Sequence, residues 1–284
     1  MQVTEHVHAI KIPFAVSTRF VYAYLIYGNQ VCLVDSGIAP AKEKIFAYMQ
    51  KTGRDPREIS WLVQTHSHAD HIGLSAEIKK ISGCKVAAHG AEKAWIEDIE
   101  LQYRERPTPT FRSYVQNSVS IDLVVSDGDS VDLGGGLALR VIHTPGHSNG
   151  LVSYLLPADG ALFSGDAIPP AGGLPIYSDV LAAIQSIRKL RRISGLKALF
   201  SSWHDPILGE KVYPVIDGSL AYIQKVHDLV RREKAQSPGL NSKELALRVL
   251  KGLAIPESLL NPIVITTIEA HLKESLRPNV LEAV

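Results

Sequence analysis

Cysteine is scarce in this chain: Cys32 and Cys84 are the only two among 284 residues. Neither has metal-ligand spacing, and each sits in or beside an apolar strand-like run, so both read as buried thiols. That excludes a disulfide framework, and it fits a reducing, cytoplasmic location. Long apolar runs are missing too. No segment approaches the ~20 apolar residues of a membrane helix, and no membrane association is expected. Met1 to Pro13 lacks the basic start and apolar core of a secretory signal. Charge of one sign is also lacking, with 30 basic against 29 acidic residues and a net +1. No global field therefore points to nucleic acid, a membrane or an acidic partner. Low-complexity tracts and short-period repeats do not occur.

What remains is an ordinary globular composition, 45% hydrophobic and 21% charged, which supports a sizeable core. The length suits one large domain, or one domain with a smaller appendage. Strand signals open the chain at Val7 to Ile12, Val21 to Tyr27 and Val31 to Val34, with Gly28-Asn29 as a tight turn between the last two. A helix follows from about Ala41 to Thr52-Gly53, then a strand at Trp61 to Thr65. Leu74, Ile78 and Ile81 mark a second helix ending at Gly83, before a strand at Lys85 to Ala88. From about 91 to 117 the pattern changes. Trp95, Ile96 and Ile99 suggest a helix, Pro107 and Pro109 break the chain, and the stretch reads as an insertion.

The second half repeats the style. Val119 to Val125, Leu137 to Ile142, Val152 to Leu156, Ala161 to Phe163 and Lys197 to Ser201 read as strands. Asp159-Gly160 reads as a hairpin turn. Asp179 caps a helix that ends at Gly195. Two halves of strands then helix imply an α/β (α+β) sandwich of two mixed sheets with helices outside. After about Tyr213 the chain turns helical. Asn241 with Glu244 forms a capping box, and Asn261-Pro262 starts another helix with Pro at its first position. The expected division is 1–212 as the catalytic domain and 213–284 as a helical C-terminal subdomain, whose apolar face would pack on the main domain or form a homodimer.

The informative segment is Thr65-His66-Ser67-His68-Ala69-Asp70-His71. Four potential ligands fall within six residues, directly after an apolar strand, which random placement of 11 histidines rarely achieves. His66 and His68, two apart in an extended turn, can grip one ion. Asp70 and His71, opening the next helix, can reach a second. His147, Asp166 and His204 each sit just past an apolar run. Ligands at the C-terminal ends of several strands can converge on one rim. His89 and His143 also lie near strand ends and read as hydrogen-bonded or surface residues, and His6 and His8 as surface residues.

The set resembles the metallo-β-lactamase-fold superfamily, specifically its glyoxalase II-like branch. The resemblance rests on His-x-His-x-Asp-His at His66 to His71, Thr-Pro-Gly-His-Ser at Thr144 to Ser148, Ser-Gly-Asp at Ser164 to Asp166, His204, and Leu-Val-Asp-Ser-Gly at Leu33 to Gly37. It spans roughly residues 7 to 210 and implies a four-layer αββα sandwich. By the family pattern His66, His68 and His147 hold one metal, Asp70, His71 and His204 hold a second, Asp166 bridges both, and Asp35 lies beneath the site. Nitrogen and oxygen ligands suit two divalent ions, zinc foremost, with manganese or iron open. The Cys that some β-lactamases place at the second metal has no counterpart, which points away from true β-lactamases.

The implied chemistry is metal-assisted hydrolysis by a hydroxide shared between two ions, with Asp70 orienting the nucleophile or passing a proton. Tyr103, Arg104 and Arg106 in the insertion, and Tyr177, are candidate substrate contacts. The favoured substrate is a small thioester or ester. An endoribonuclease with a helical nucleic-acid-binding tail is the second reading, and the basic run Arg188, Lys189, Arg191 and Arg192 is its other handle, although a solvated helix face explains that run as well. A mononuclear iron persulfide dioxygenase held by His66, His147 and Asp166 is the third. A scaffold without chemistry fits the complete ligand set poorly.

Overall fold

The computed structural model describes residues 1–14 and 19–283. Its contacts divide the chain into two units.

The first unit comprises Met1–His143, Gly150–Gly165 and Leu196–Gly209. Its first sheet runs β1 (Val7–Pro13), β2 (Phe20–Tyr27), β3 (Val31–Val34), β4 (Ile59–Val63), β5 (Lys85–His89) and β6 (Leu123–Val125) in spatial order. The first three strands are antiparallel neighbours, and β3 to β6 are parallel. The second sheet runs from β7 (Ser130–Asp132) through β8 (Ala138–His143), β9 (Val152–Leu156), β10 (Ala161–Gly165) and β11 (Ala198–Ser201) to β12 (Ile207–Leu208). Here only β10 and β11 are parallel.

Residues of β2 and β3 alternate strictly between two cores. Val21, Ala23 and Leu25 join Ile45, Met49 and Ile78, whereas Tyr22, Tyr24 and Ile26 join Val141, Tyr154, Phe163 and Phe200 from the second sheet. A sheet buried on both faces requires apolar side chains at every position, which is why β2 and β3 are unbroken apolar runs. The outer core is closed by α1 (Lys42–Lys51), α2 (Ala69–Ile72) and α3 (Ser75–Ser82), and by the insertion, which folds as α4 (Lys93–Glu97), α5 (Ile99–Glu105) and α6 (Phe111–Tyr114). Asp98 caps α5 by accepting from Glu100 N and Leu101 N at 3.0 and 2.9 Å.

The second unit comprises Thr144–Asn149, Asp166–Gly195 and Glu210–Val284. Its helices are α7 (Val180–Arg191), α8 (Val212–Gln236), α9 (Ser242–Gly252) and α10 (Pro262–Lys273). Asp179 caps α7, Asn241 and Glu244 form a reciprocal capping box on α9, and Asn261 caps α10 with Pro262 in its first turn. Val226, Val230, Leu245, Val249, Val264 and Ile268 make one core from three helices. α7, which lies within 1–212, clusters with the helices of 213–284, with Arg191 ion-paired to Asp217 at 2.7 Å. None of the described helices is long and apolar enough to cross a membrane.

Local expectations are revised at Val119, His6 and His8, and two further strands appear. The strand expected from Val119 begins only at Leu123, because Val119 N donates to Ile96 O and Ile121 N to Glu97, which tie this stretch to α4. β7 and β12 are too short to carry a periodic signal and form through pairing with β8 and β11. His8 is buried rather than on the surface, with Nδ1 2.8 Å from the Tyr48 hydroxyl. His6 is half-buried and its Nδ1 meets Asp159 at 2.6 Å.

Candidate metal centre

Parallel order places the C-terminal ends of β3, β4 and β5 at one edge of the first sheet. Asp35 follows β3 and His66 follows β4 there. In the second sheet β8, β10 and β11 point the same way, since β9 runs antiparallel to both of its neighbours. The two edges meet at Thr65. Thr65 O accepts from Val152 N at 2.9 Å. A Cβ on Gly165, whose φ is +51°, would lie 2.8 Å from the Thr65 side chain. Gly165 is thus needed both for its left-handed backbone and for the close approach, and Asp166 is the next residue.

Asp35 lies beneath this edge with a backbone φ of 54° and 3% exposure. Its Oδ1 accepts from Thr65 N at 2.8 Å. Its Oδ2 accepts from Thr65 Oγ1 at 2.7 Å and stands 2.8 Å from His71 Nδ1. A carboxylate only accepts, so His71 carries its proton on Nδ1 and its lone pair on Nε2. The His71 ring lies 4.0 Å from that of His66, centroid to centroid. His66 Nε2 and His68 Nδ1 are 2.8 Å apart, and His68 is the N-cap residue of α2, which carries Asp70 and His71 in its single turn.

His147 is oriented in the same manner by a carbonyl. Its Nδ1 donates to Ile176 O at 2.7 Å, which turns Nε2 toward Asp166 Oδ2, 3.2 Å away. Donor atoms of His66, His68, His147 and Asp166 all lie within 4.8 Å of one another, and all four residues are buried. The donor set therefore fits a divalent metal. Asp70, His71 and His204 stand outside that group of four. Asp70 is half-buried in α2. His204 donates from Nδ1 to Asp205 O at 2.9 Å, and its Nε2 is buried without a hydrogen-bond partner among the described residues. Burial holds the His204 pKa below the usual histidine range, so its Nε2 stays available as a ligand nitrogen.

Residues that spacing did not single out complete the setting. The Glu92 carboxylate accepts from Ser67 N at 3.0 Å, from Ser67 Oγ, and from Gly150 N at 2.8 Å, tying the loop after β4 to the loop before β9. Gln102 donates to Ser67 O at 2.7 Å. The Arg106 guanidinium meets His68 Nε2. Tyr103 packs on Phe111 under the Arg112 guanidinium, and Arg104 is exposed. Tyr177 occupies the interior of the helical unit rather than a pocket wall: it is 1% exposed, with its hydroxyl 2.7 Å from His271 Nε2. His89 and His143 stack at 4.5 Å.

A family profile described as the metallo-beta-lactamase superfamily matches residues 16–201. The chain belongs to the metallo-beta-lactamase superfamily. Among curated superfamily relatives, a hydroxyacylglutathione hydrolase of Rhodopseudomonas palustris (strain BisB5) is 30% identical over 173 residues, 61% of this chain and 58% of that one. The chain thus matches less than two thirds of that relative's length. A hydroxyacylglutathione hydrolase of Methylococcus capsulatus is 27% identical over 236 residues, covering 79% of this chain and 80% of its own. Among solved structures, a metallo-beta-lactamase family protein from Thermus thermophilus superposes with a TM-score of 0.74 at 21% identity, over 95% of this chain and 92% of that one. At that identity the likeness speaks for the superfamily fold.

Proposed function

We propose that the protein is a dinuclear metal-dependent hydrolase acting on a small thioester or ester. The observation that carries this reading is the buried group His66, His68, His147 and Asp166, whose donor atoms lie within 4.8 Å of one another. Its first ion would take His66, His68 and His147, its second Asp70, His71 and His204, with Asp166 shared. Zinc is the favoured ion. Bound divalent ions supply a Lewis acid and bring the pKa of a coordinated water toward ~7.

The chain's own residues do the rest. Asp35 and Ile176 O each hold one imidazole with its lone pair turned away from the backbone. Glu92 and Gln102 keep the loop carrying His66 and His68 in place. Asp70 orients the attacking water or returns a proton to the leaving group. The likeness to hydroxyacylglutathione hydrolases favours a thioester of a small acid.

Elemental analysis of protein purified without added metal tests the reading. Two zinc ions per chain, together with thioester turnover abolished by chelation, are expected. A single iron per chain with oxygen uptake on a persulfide would replace the hydrolase with a dioxygenase.

A further inference from the structure

The peptide group joining Ile176 to Tyr177 has two partners. Its carbonyl accepts the Nδ1 proton of His147 at 2.7 Å, and its N–H donates to Thr267 Oγ1 in α10 at 3.0 Å. The one proton on Thr267 Oγ1 is shared between Tyr177 O at 2.8 Å and Ile263 O, one turn back in α10, at 3.1 Å. One hydroxyl therefore grips Tyr177 by both of its backbone groups, and Thr267 is wholly buried. Hydrogen bonds through one peptide polarise each other in the same sense, so the grip on the N–H strengthens the carbonyl as an acceptor for His147.

The Tyr177 side chain is fixed just as tightly. Its hydroxyl meets His271 Nε2 at 2.7 Å, His271 Nδ1 meets His227 Nδ1 at 3.2 Å, and His227 Nε2 meets Arg277 O at 2.9 Å. The direction of this chain follows from its last member. A carbonyl only accepts, so neutral His227 bears its proton on Nε2 and accepts at Nδ1. His271 must then donate from Nδ1 and accept the Tyr177 hydroxyl proton at Nε2. Every group is satisfied in a single arrangement, and all three rings are buried.

We infer that Thr267 and Tyr177 are positioning residues for the metal centre: α10 fixes the peptide that sets the orientation and tautomer of the ligand His147. This rests on His147 being a metal ligand. The helices after residue 212 accordingly contribute to metal retention without supplying a ligand. Loss of a partner that orients a ligating imidazole lowers metal affinity by about 10- to 100-fold.

The test is Zn2+ titrated into metal-stripped full-length protein against a chelating indicator, with the apo thermal midpoint as a control for folding. Thr267→Val, which keeps the shape and loses the hydroxyl, is expected to weaken zinc binding about tenfold or more. Thr267→Ser should restore it, a rescue that packing alone would not give. Tyr177→Phe is the second variant, read the same way should Thr267→Val fail to fold. His147→Ala is the reference and should lose the site. Native zinc affinity in folded Thr267→Val or Tyr177→Phe, with binding lost in His147→Ala, would overturn the inference alone. Native affinity in His147→Ala would instead remove the metal-ligand reading beneath it.

Discussion

Replacing Asp35 by asparagine isolates the carboxylate from the backbone that carries it. Asp35 has φ 54°, a conformation asparagine tolerates, so Asp35→Asn adds little backbone strain. Asn Oδ1 can still accept from Thr65 N. The second oxygen becomes an NH2 group, and it faces two donors, Thr65 Oγ1 at 2.7 Å and His71 Nδ1 at 2.8 Å. The hydroxyl can turn and accept. The imidazole can recover only by moving its proton to Nε2, which blocks the nitrogen proposed to hold metal. Losing one hydrogen bond to a buried charged group costs about 1.5–3 kcal/mol. Metal affinity should fall about 10- to 100-fold. Asp35→Ala removes all three bonds and adds about 1–2 kcal/mol for a non-glycine residue at positive φ, so it should be the less stable of the two. Urea denaturation of metal-stripped protein gives the first quantity and chelator competition the second. A folded Asp35→Asn protein with native stability and native zinc affinity would refute the argument that Asp35 fixes the His71 tautomer.

Three further outcomes are expected. Glu92→Ala leaves two buried backbone N–H groups, of Ser67 and Gly150, without their acceptor; the loss should be about 2–4 kcal/mol in the urea midpoint analysis, and a change below about 0.5 kcal/mol would contradict it. Gly165→Ala forces a Cβ to 2.8 Å from Thr65 at a positive φ. It should cost about 1–3 kcal/mol and lower the thermal midpoint, and an unchanged midpoint would show that the two strand ends separate freely. Burial and the neighbouring His227 push the His271 pKa down to about 3. The unfolded chain, with an ordinary histidine pKa near ~6.5, then binds more protons than the native state between the two values. Stability should therefore be fully present above about pH 6.5 and fall with acidification toward pH 3, by up to ~1.4 kcal/mol per pH unit from this residue. Denaturation at pH 7, 6 and 5 should show that slope, and it should flatten in His271→Gln; an equal slope in the variant would assign the acid sensitivity elsewhere.

The sequence alone determined most of the two sheets and singled out the candidate ligands. Strands such as β2 and β3 are buried on both faces, so every residue must be apolar, and that constraint is written locally. Caps at Asp179, Asn241 and Asn261 act within three residues of themselves and were legible for the same reason. The candidate ligands His66, His68, Asp70 and His71 were legible because one short segment carries all four. Tertiary structure alone decided what holds those residues. Glu92 serves Ser67 and Gly150 from 25 and 58 residues away. Tyr177, which the sequence offered as a substrate contact, is instead bonded to His271 at a separation of 94 residues. The pairing of β7 and β12 and the burial of His8 are likewise products of neighbours brought in by folding. Spacing along the chain records which atoms one turn can aim at a common point; it records nothing of the distant carbonyls, carboxylates and hydroxyls that fix each proton once the chain has closed on itself.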